Sequence, residues 1–197
     1  MARIKSALEI ALEKTESVKS DKASISQYEA KQSGKRLANS YLENPELSLE
    51  AEIKKAPADQ RDSLKEGLFD VLVSQIALPA GKDDEKRIAA VGKGLSVLIP
   101  DSRFSALYGQ LTQALTQYLD ETEQFEQMLK QQYGPKLRQK EEELSRRMGQ
   151  QVRLDPFQDP EFVAFYNQNM GALKDRYQSA VDQVREEAQK LFASPGE

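Results

Sequence analysis

The 197-residue sequence contains no histidine, no cysteine and no tryptophan. Without an imidazole or a thiol it cannot build a Cys/His zinc site, a Ser-His-Asp triad or a Cys-His nucleophile pair, because each needs a ligand or base that titrates near neutrality. The lack of cysteine also excludes a disulfide framework and is what a reducing compartment leads one to expect. No run approaches the roughly 20 apolar residues needed to span a bilayer. The most apolar stretch, Leu68 to Pro79, carries Asp70 and Gln75. Met1-Ala2-Arg3-Ile4-Lys5 has the basic character of a signal peptide start, but Glu9, Glu13 and Glu16 interrupt any apolar segment behind it. A cytoplasmic location is the expectation. The net charge of -4 and a pI near 5.2 disfavour nonspecific attraction to nucleic acid or to an anionic membrane.

Charged residues make up 30% of the chain and hydrophobic ones 39%, enough for thin layers of helices with wide solvated faces rather than a deep core. The apolar positions recur at steps of three and four throughout, so the fold class is all-α. Ile4, Leu8, Ala11, Thr15 and Val18 form a heptad-spaced stripe on a first helix. A polar break is expected at Ser20-Asp21-Lys22-Ala23, with Ser24 and Gln27 at capping-box positions of a second helix whose inward face carries Ile25, Tyr28, Leu37 and Tyr41. Asn44-Pro45 ends that helix. A short helix over residues 48–55 follows, then one from Pro57 to about Ile76, and one capped by Asp83 and ended by Pro100.

Beyond Pro100 the character changes. Phe104, Leu107, Tyr108, Leu111, Leu115, Tyr118, Phe125, Met128, Leu129 and Tyr133 mark one long helix, with a kink or stop near Gly134-Pro135. Residues 135–150 then read as a separate, largely solvated helix. Asp159-Pro160 opens a second long helix with Tyr166, Met170, Leu173, Tyr177, Ala180, Val184 and Leu191 inward. The domain reading is an N-terminal helical bundle over 1–100 and a long antiparallel, coiled-coil-like helical hairpin over 101–197, each arm roughly 45–50 Å at ~1.5 Å per residue. Residues 151–159 are long enough to run back along the 135–150 helix and start the return beside Tyr133.

Carboxylates supply the remaining catalytic candidates. Glu123 and Glu126, with Asp120 nearby, have the E-x-x-E spacing by which facing helices hold Mg²⁺. The polar stretch around them favours an ordinary solvated face. Glu141-Glu142-Glu143 and Glu186-Glu187 are consecutive and diverge by about 100° per residue, too far to share one ion. Val91-Gly92-Lys93-Gly94 lacks the earlier glycine and the trailing hydroxyl of a phosphate loop, since position 87 is Arg, so small residues for close packing explain it better. Lys136, Arg138, Lys140, Arg146, Arg147 and Arg153 form the densest basic region, interrupted by the three glutamates and read as charge-paired helix, with Lys140 beside Glu143. Phe157, Phe162, Phe165 and Tyr166 around the two Asp-Pro turns read as packing rather than a ligand pocket. No catalytic, cofactor or metal residue is assigned.

The stretch Met1 to Thr15 (MARIKSALEIALEKT), with Gly34-Lys35-Arg36-Leu37-Ala38 and Leu154-Asp155-Pro156, resembles an uncharacterised bacterial all-helical family of unknown function. That resemblance implies no activity, ligand or catalytic residue. In composition and period the second half is similar to stalk subunits of rotary ATPases and secretion machines. The leading functional expectation is therefore a non-enzymatic interaction or assembly protein, scaffold-like or stalk-like, with a protein partner or self-association. The alternatives are a Mg²⁺-dependent all-helical hydrolase of a phosphate substrate and a nucleic-acid or regulatory binder. If the two long helices pack antiparallel, Leu115→Asp should unfold their seam in thermal denaturation, and Lys140→Asp, on the solvated helix, should be tolerated.

Overall fold

In a computed structural model the structure describes residues 7–194, with side chains from Ser24 onward. Regular structure among them is helical throughout. The helices are α1 (Ala7–Glu43), α2 (Leu49–Lys55), α3 (Arg61–Ser74), α4 (Glu85–Leu98), α5 (Ser102–Met148) and α6 (Pro160–Ala193). Contacts gather the chain into two compact units. One is built from the chain up to Ile76, Ala90–Asp101 and the chain from Leu191 on; the other from Ala77–Ala89 and Ser102–Lys190.

Helix α1 corrects the first expectation. It runs unbroken through Ser20 to Ala23, because these four residues include neither glycine nor proline and their modest propensity costs do not outweigh continuing the hydrogen-bond ladder. The stripe from Ile4 to Val18 lies outside the described side chains. Within the described part, the buried face is Ala30, Gly34, Ala38 and Tyr41, while Ile25 and Tyr28 are 58% and 66% exposed. At about 100° per residue, Ile25 points opposite Gly34 and Tyr28 about 120° away from it. Over Ala30 to Ala38 the helix therefore turns its small residues inward, with Tyr41 the one large side chain on that face.

The reason is α3. A Cβ on Gly34 would lie 2.0 Å from the Leu64 carbonyl oxygen, and one on Gly67 would lie 1.9 Å from the Lys31 carbonyl oxygen. The two helices meet backbone to backbone at a reciprocal pair of glycines, which no larger residue permits. Lys31 bridges Glu66 (3.5 Å) and Asp70 (3.1 Å) along the rim of this crossing. Such half-exposed pairs contribute little to stability. Around the crossing, Leu64, Leu68, Phe69, Leu72, Ile53, Val91 and Leu95 close the core of the first unit, and the Tyr41 hydroxyl donates to the Ala90 carbonyl at 2.9 Å. Gly94 lies inside α4, where its missing side chain leaves room for Tyr41 and Leu72. That agrees with the packing reading of Val91 to Gly94.

The shorter elements follow their local chemistry. Asn44-Pro45 ends α1 as read, and Ser48 caps α2 by accepting from the Ala51 amide at 3.4 Å. Ahead of α4 the Asp84 carboxylate ties the turn together, accepting from the Ala80 amide at 2.7 Å and pairing with Arg87 at 3.2 Å.

In the second unit α5 and α6 pack antiparallel. Tyr118 meets Tyr177 with ring centroids 5.1 Å apart, and Tyr133 meets Phe162 at 5.2 Å. Passing from Tyr118 to Tyr133 takes the partner back from Tyr177 to Phe162 by the same number of residues, so the register is constant along the pair. Leu111, Leu115, Tyr118, Leu129 and Tyr133 are buried on α5, and Phe162, Met170, Tyr177, Val181, Val184 and Ala188 on α6. Met128, read as inward, is 40% exposed at the edge of the seam. Helix α5 also does not stop at Pro135. It continues to Met148, so no separate helix over 135–150 exists.

The glycine crossing supplies a stability test. Gly34→Ala should destabilise the protein by about 1–3 kcal/mol or more, because the methyl group has no flexible neighbour to displace. Gly109→Ala, on an exposed face of α5 with nothing within 4 Å, should stabilise it by up to about 1 kcal/mol. Urea unfolding midpoints that moved the same way in both variants would contradict the close crossing.

Candidate functional site at the hairpin end

Pro135 cannot donate to the Gln131 carbonyl, and its ring crowds the preceding turn, at a cost of about 3 kcal/mol in a helix interior. Helix α5 survives because a cluster of side chains grips it on both sides of the proline. Tyr133, Lys136 and Lys140 follow one another at i, i+3 and i+7 and so share a face. All three reach the first turn of α6. Pro135 and Gln131 are exposed, so the freed carbonyl faces solvent.

Asp159 is the centre of the cluster and the one charged side chain that is buried among the described residues. Its Oδ2 accepts from the Tyr133 hydroxyl at 2.8 Å and from Lys140 Nζ at 2.7 Å, and its Oδ1 accepts from Lys140 Nζ at 2.9 Å. The same Oδ1 caps α6 by accepting from the Glu161 amide at 3.1 Å. A buried carboxylate is tolerated only when its lone pairs are met in this way. Glu161, on the outside, accepts from Lys140 at 2.9 Å and pairs with Lys136 at 2.7 Å.

The protonation of these groups follows from the contacts. The Lys140 bond holds the Asp159 carboxyl below the usual range, and Lys136 and Lys140 together draw Glu161 down to about 2. Lys140 is raised by Asp159 and then Glu161. Desolvation, then the bond to Asp159, raises the Tyr133 hydroxyl. At neutral pH the cluster is thus two carboxylates, two ammonium groups and a neutral phenol.

Beneath it, Tyr133, Phe157, Phe162, Phe165 and Tyr166 interlock, with Phe157 edge-on to Phe162 and to Tyr166 at 5.2 Å each. These aromatics are packing, as the sequence indicated. Gly149, at φ +67°, ends α5 in the left-handed conformation that suits a residue without Cβ. The chain then returns along the helix it has just left: the Val152 amide donates to Ser145 Oγ at 2.9 Å and the Leu154 amide to Glu141 Oε1 at 2.8 Å. Asp155 caps the short turn at Pro156–Gln158 by accepting from the Phe157 amide. Between the last turns of α5 and this return segment lies a cleft of about 310 Å³, lined by Lys140, Glu143, Leu144, Arg147, Leu154, Gln158, Asp159 and Pro160.

Residues 50–190 match a family of unknown function, DUF6657. The chain belongs to that family. In this DUF6657 member the matched residues take in the whole polar cluster, the cleft and Gly67, whereas Gly34 lies before them. Of the stretches that carried the resemblance, Leu154 to Pro156 falls inside the match and the two N-terminal ones fall outside it. No curated protein and no solved structure matches.

The other sequence candidates are dispersed. Glu123 pairs with Lys82 at 3.4 Å and Glu126 with Lys130 at 2.6 Å, and Asp120 is exposed. Among the described residues no group of three or more acidic side chains is placed to hold a metal ion. Glu141 is bound to the return segment, Glu142 lies 4.0 Å from Arg146, and Glu187 lies 3.8 Å from Lys190. No described helix is long and apolar enough to cross a membrane. Lys140 is the principal correction: its partners are Asp159 and Glu161, not Glu143, so it is a structural residue rather than a solvated one. The alignment of Lys136 and Lys140 with the apolar face that reaches Tyr133 was the signal in the sequence.

Lys140→Asp should therefore strip amide hydrogen-exchange protection from residues 155–165 and lower the melting temperature, leaving a buried carboxylate facing another carboxylate. The acid response has a definite sign. Asp159 and Glu161 have depressed folded values, so their contribution is complete above the usual carboxylate range and is lost as pH falls below it, for Glu161 toward about 2. Exchange at residues 155–165, measured at stepwise lower pH and corrected for the intrinsic rate, should accelerate in that window, and Glu161→Gln should flatten the change.

Proposed function

We propose that this protein is a non-enzymatic interaction protein in which the α5/α6 hairpin presents its end, the cleft between α5 and the returning chain, to a protein partner. The observation that carries the reading is the bracing of that end. The chain keeps one helix continuous through a proline, at a cost of several kcal/mol, and ties both sides of it to Asp159 and Glu161. A preorganised surface loses less entropy on binding than a loose one, which is the benefit such bracing brings to a docking end. The side chains lining the cleft support binding rather than reaction. They comprise apolar leucines and a proline beside charged groups, and the buried carboxylate is held ionised by Lys140 and Tyr133 instead of being poised near neutrality as an acid or base. No observation favours the Mg²⁺-dependent hydrolase, since the E-x-x-E carboxylates are spent on Lys82 and Lys130.

The reading is tested by a photo-crosslinking amino acid at Gln158, which lines the cleft, and at Lys174, an exposed position of α6. In the native cells Gln158 should give a discrete adduct that Lys140→Asp abolishes, and Lys174 should not. Adducts of equal yield at both positions, or none at Gln158, would overturn it.

A further inference from the structure

The pairing of charges at the hairpin end leaves more arginines than carboxylates without a partner. Lys136 and Lys140 are used by Glu161 and Asp159; Arg146 faces Glu142; Glu141 is spent on the Leu154 amide and Asp155 on the Phe157 amide. Arg138, Arg147 and Arg153 are exposed and make no hydrogen bond or ion pair with any described residue. Glu143 is the only carboxylate between Lys136 and Asp155 left without such a partner. Basic and acidic side chains are equal in number from Lys136 to Glu161, so the end as a whole is neutral and its positive character is confined to these unpaired guanidinium groups.

Arg147 lines the cleft itself, beside Leu144 and Leu154. Arg147 lies one helical turn beyond Leu144 on the stripe that begins at Tyr133, so its guanidinium borders an apolar floor. We infer that the cleft receives a short peptide segment of a protein partner, with a leucine-sized apolar side chain on Leu144 and Leu154 and a flanking carboxylate on Arg147. The site rests on the docking role proposed above and gives it a chemistry. A guanidinium matches a carboxylate in a paired geometry that a lysine cannot offer. The apolar floor separates this partner from a nucleic-acid strand, whose continuous phosphates would also meet Glu143 and Asp159. The volume of about 310 Å³ suits one or two side chains, not a folded surface.

The test uses the full-length protein and a fluorescein-labelled Asp-Asp-Leu-Leu-Asp-Asp peptide, with a version carrying serine for both leucines, a single-stranded DNA 20-mer and vesicles of anionic phospholipid as comparisons. The leucine peptide should bind saturably. Arg147→Glu and Leu144→Ser should each weaken it about tenfold, from the loss of a charge-assisted bond and of apolar burial respectively. Lys174→Glu, an equal change of charge on an exposed part of α6, should leave binding unchanged. Circular dichroism must show all three variants folded, and in NMR spectra the Leu144 and Leu154 signals should shift with peptide and not with the serine version. Equal binding of the serine peptide would reduce the site to plain charge attraction and overturn the inference, as would tighter, Arg147-dependent binding of the DNA or the vesicles. No binding up to about 1 mM would overturn it too. If Gln158 still gives its discrete adduct in cells while the peptide fails, the docking role stands and the partner chemistry assigned here is wrong; if both fail, the docking role goes with it.

Discussion

The burial of one carboxylate organises the second unit. Asp159 sits where the return segment becomes α6, and its four bonds tie together elements far apart in sequence: the last full turn before Pro135, the helix beyond it, and the first turn of α6. An ionised group in such a place is costly unless every lone pair is met. Tyr133, Lys140 and the Glu161 amide meet them, and the cost becomes a constraint. In the arrangement that satisfies Asp159, α5 stays helical through a proline and the return segment lies along α5. The cleft is a consequence of that path.

The first unit is governed by the opposite kind of residue. Where Asp159 demands partners, Gly34 and Gly67 demand the absence of side chains. Their reciprocal contact brings α1 and α3 closer than any Cβ allows and fixes which face of α1 turns inward. Ile25 and Tyr28 stay outside as a result, although hydrophobicity alone would place them in the core. Burial of apolar area is non-directional; contact between two backbones is not, and here the second prevails.

The functional reading rests on how charge is spent rather than on how much there is. The net charge of -4 disfavours polyanions as partners for the chain as a whole. At the hairpin end the two signs are equal in number, but backbone amides as well as ammonium groups bind carboxylates, which leaves guanidinium groups without a partner of their own. Of these, Arg147 is left exposed beside Leu144 and Leu154. Membership in DUF6657 covers this region and assigns it no activity, so its chemistry carries the argument.

The sequence by itself determined the helical class, the long pair of α5 and α6, their antiparallel register through Tyr133 and Phe162, and the ends set by Asn44-Pro45 and Asp159-Pro160. These follow from periodicity and from residues that act on their immediate neighbours, whose effects are local and travel with the chain. It also excluded imidazole and thiol chemistry, since missing atoms cannot be supplied by folding. Only the tertiary structure decided the inward face of α1, the continuity of α5 at Pro135 and the role of Lys140. In each case the deciding partner lies far away in sequence: Gly67 for Gly34, and Asp159 and Glu161 for the helix on either side of the proline. Propensity and capping rules weigh a proline against the residues within a turn or two, and no such rule can include a carboxylate that arrives from the next helix.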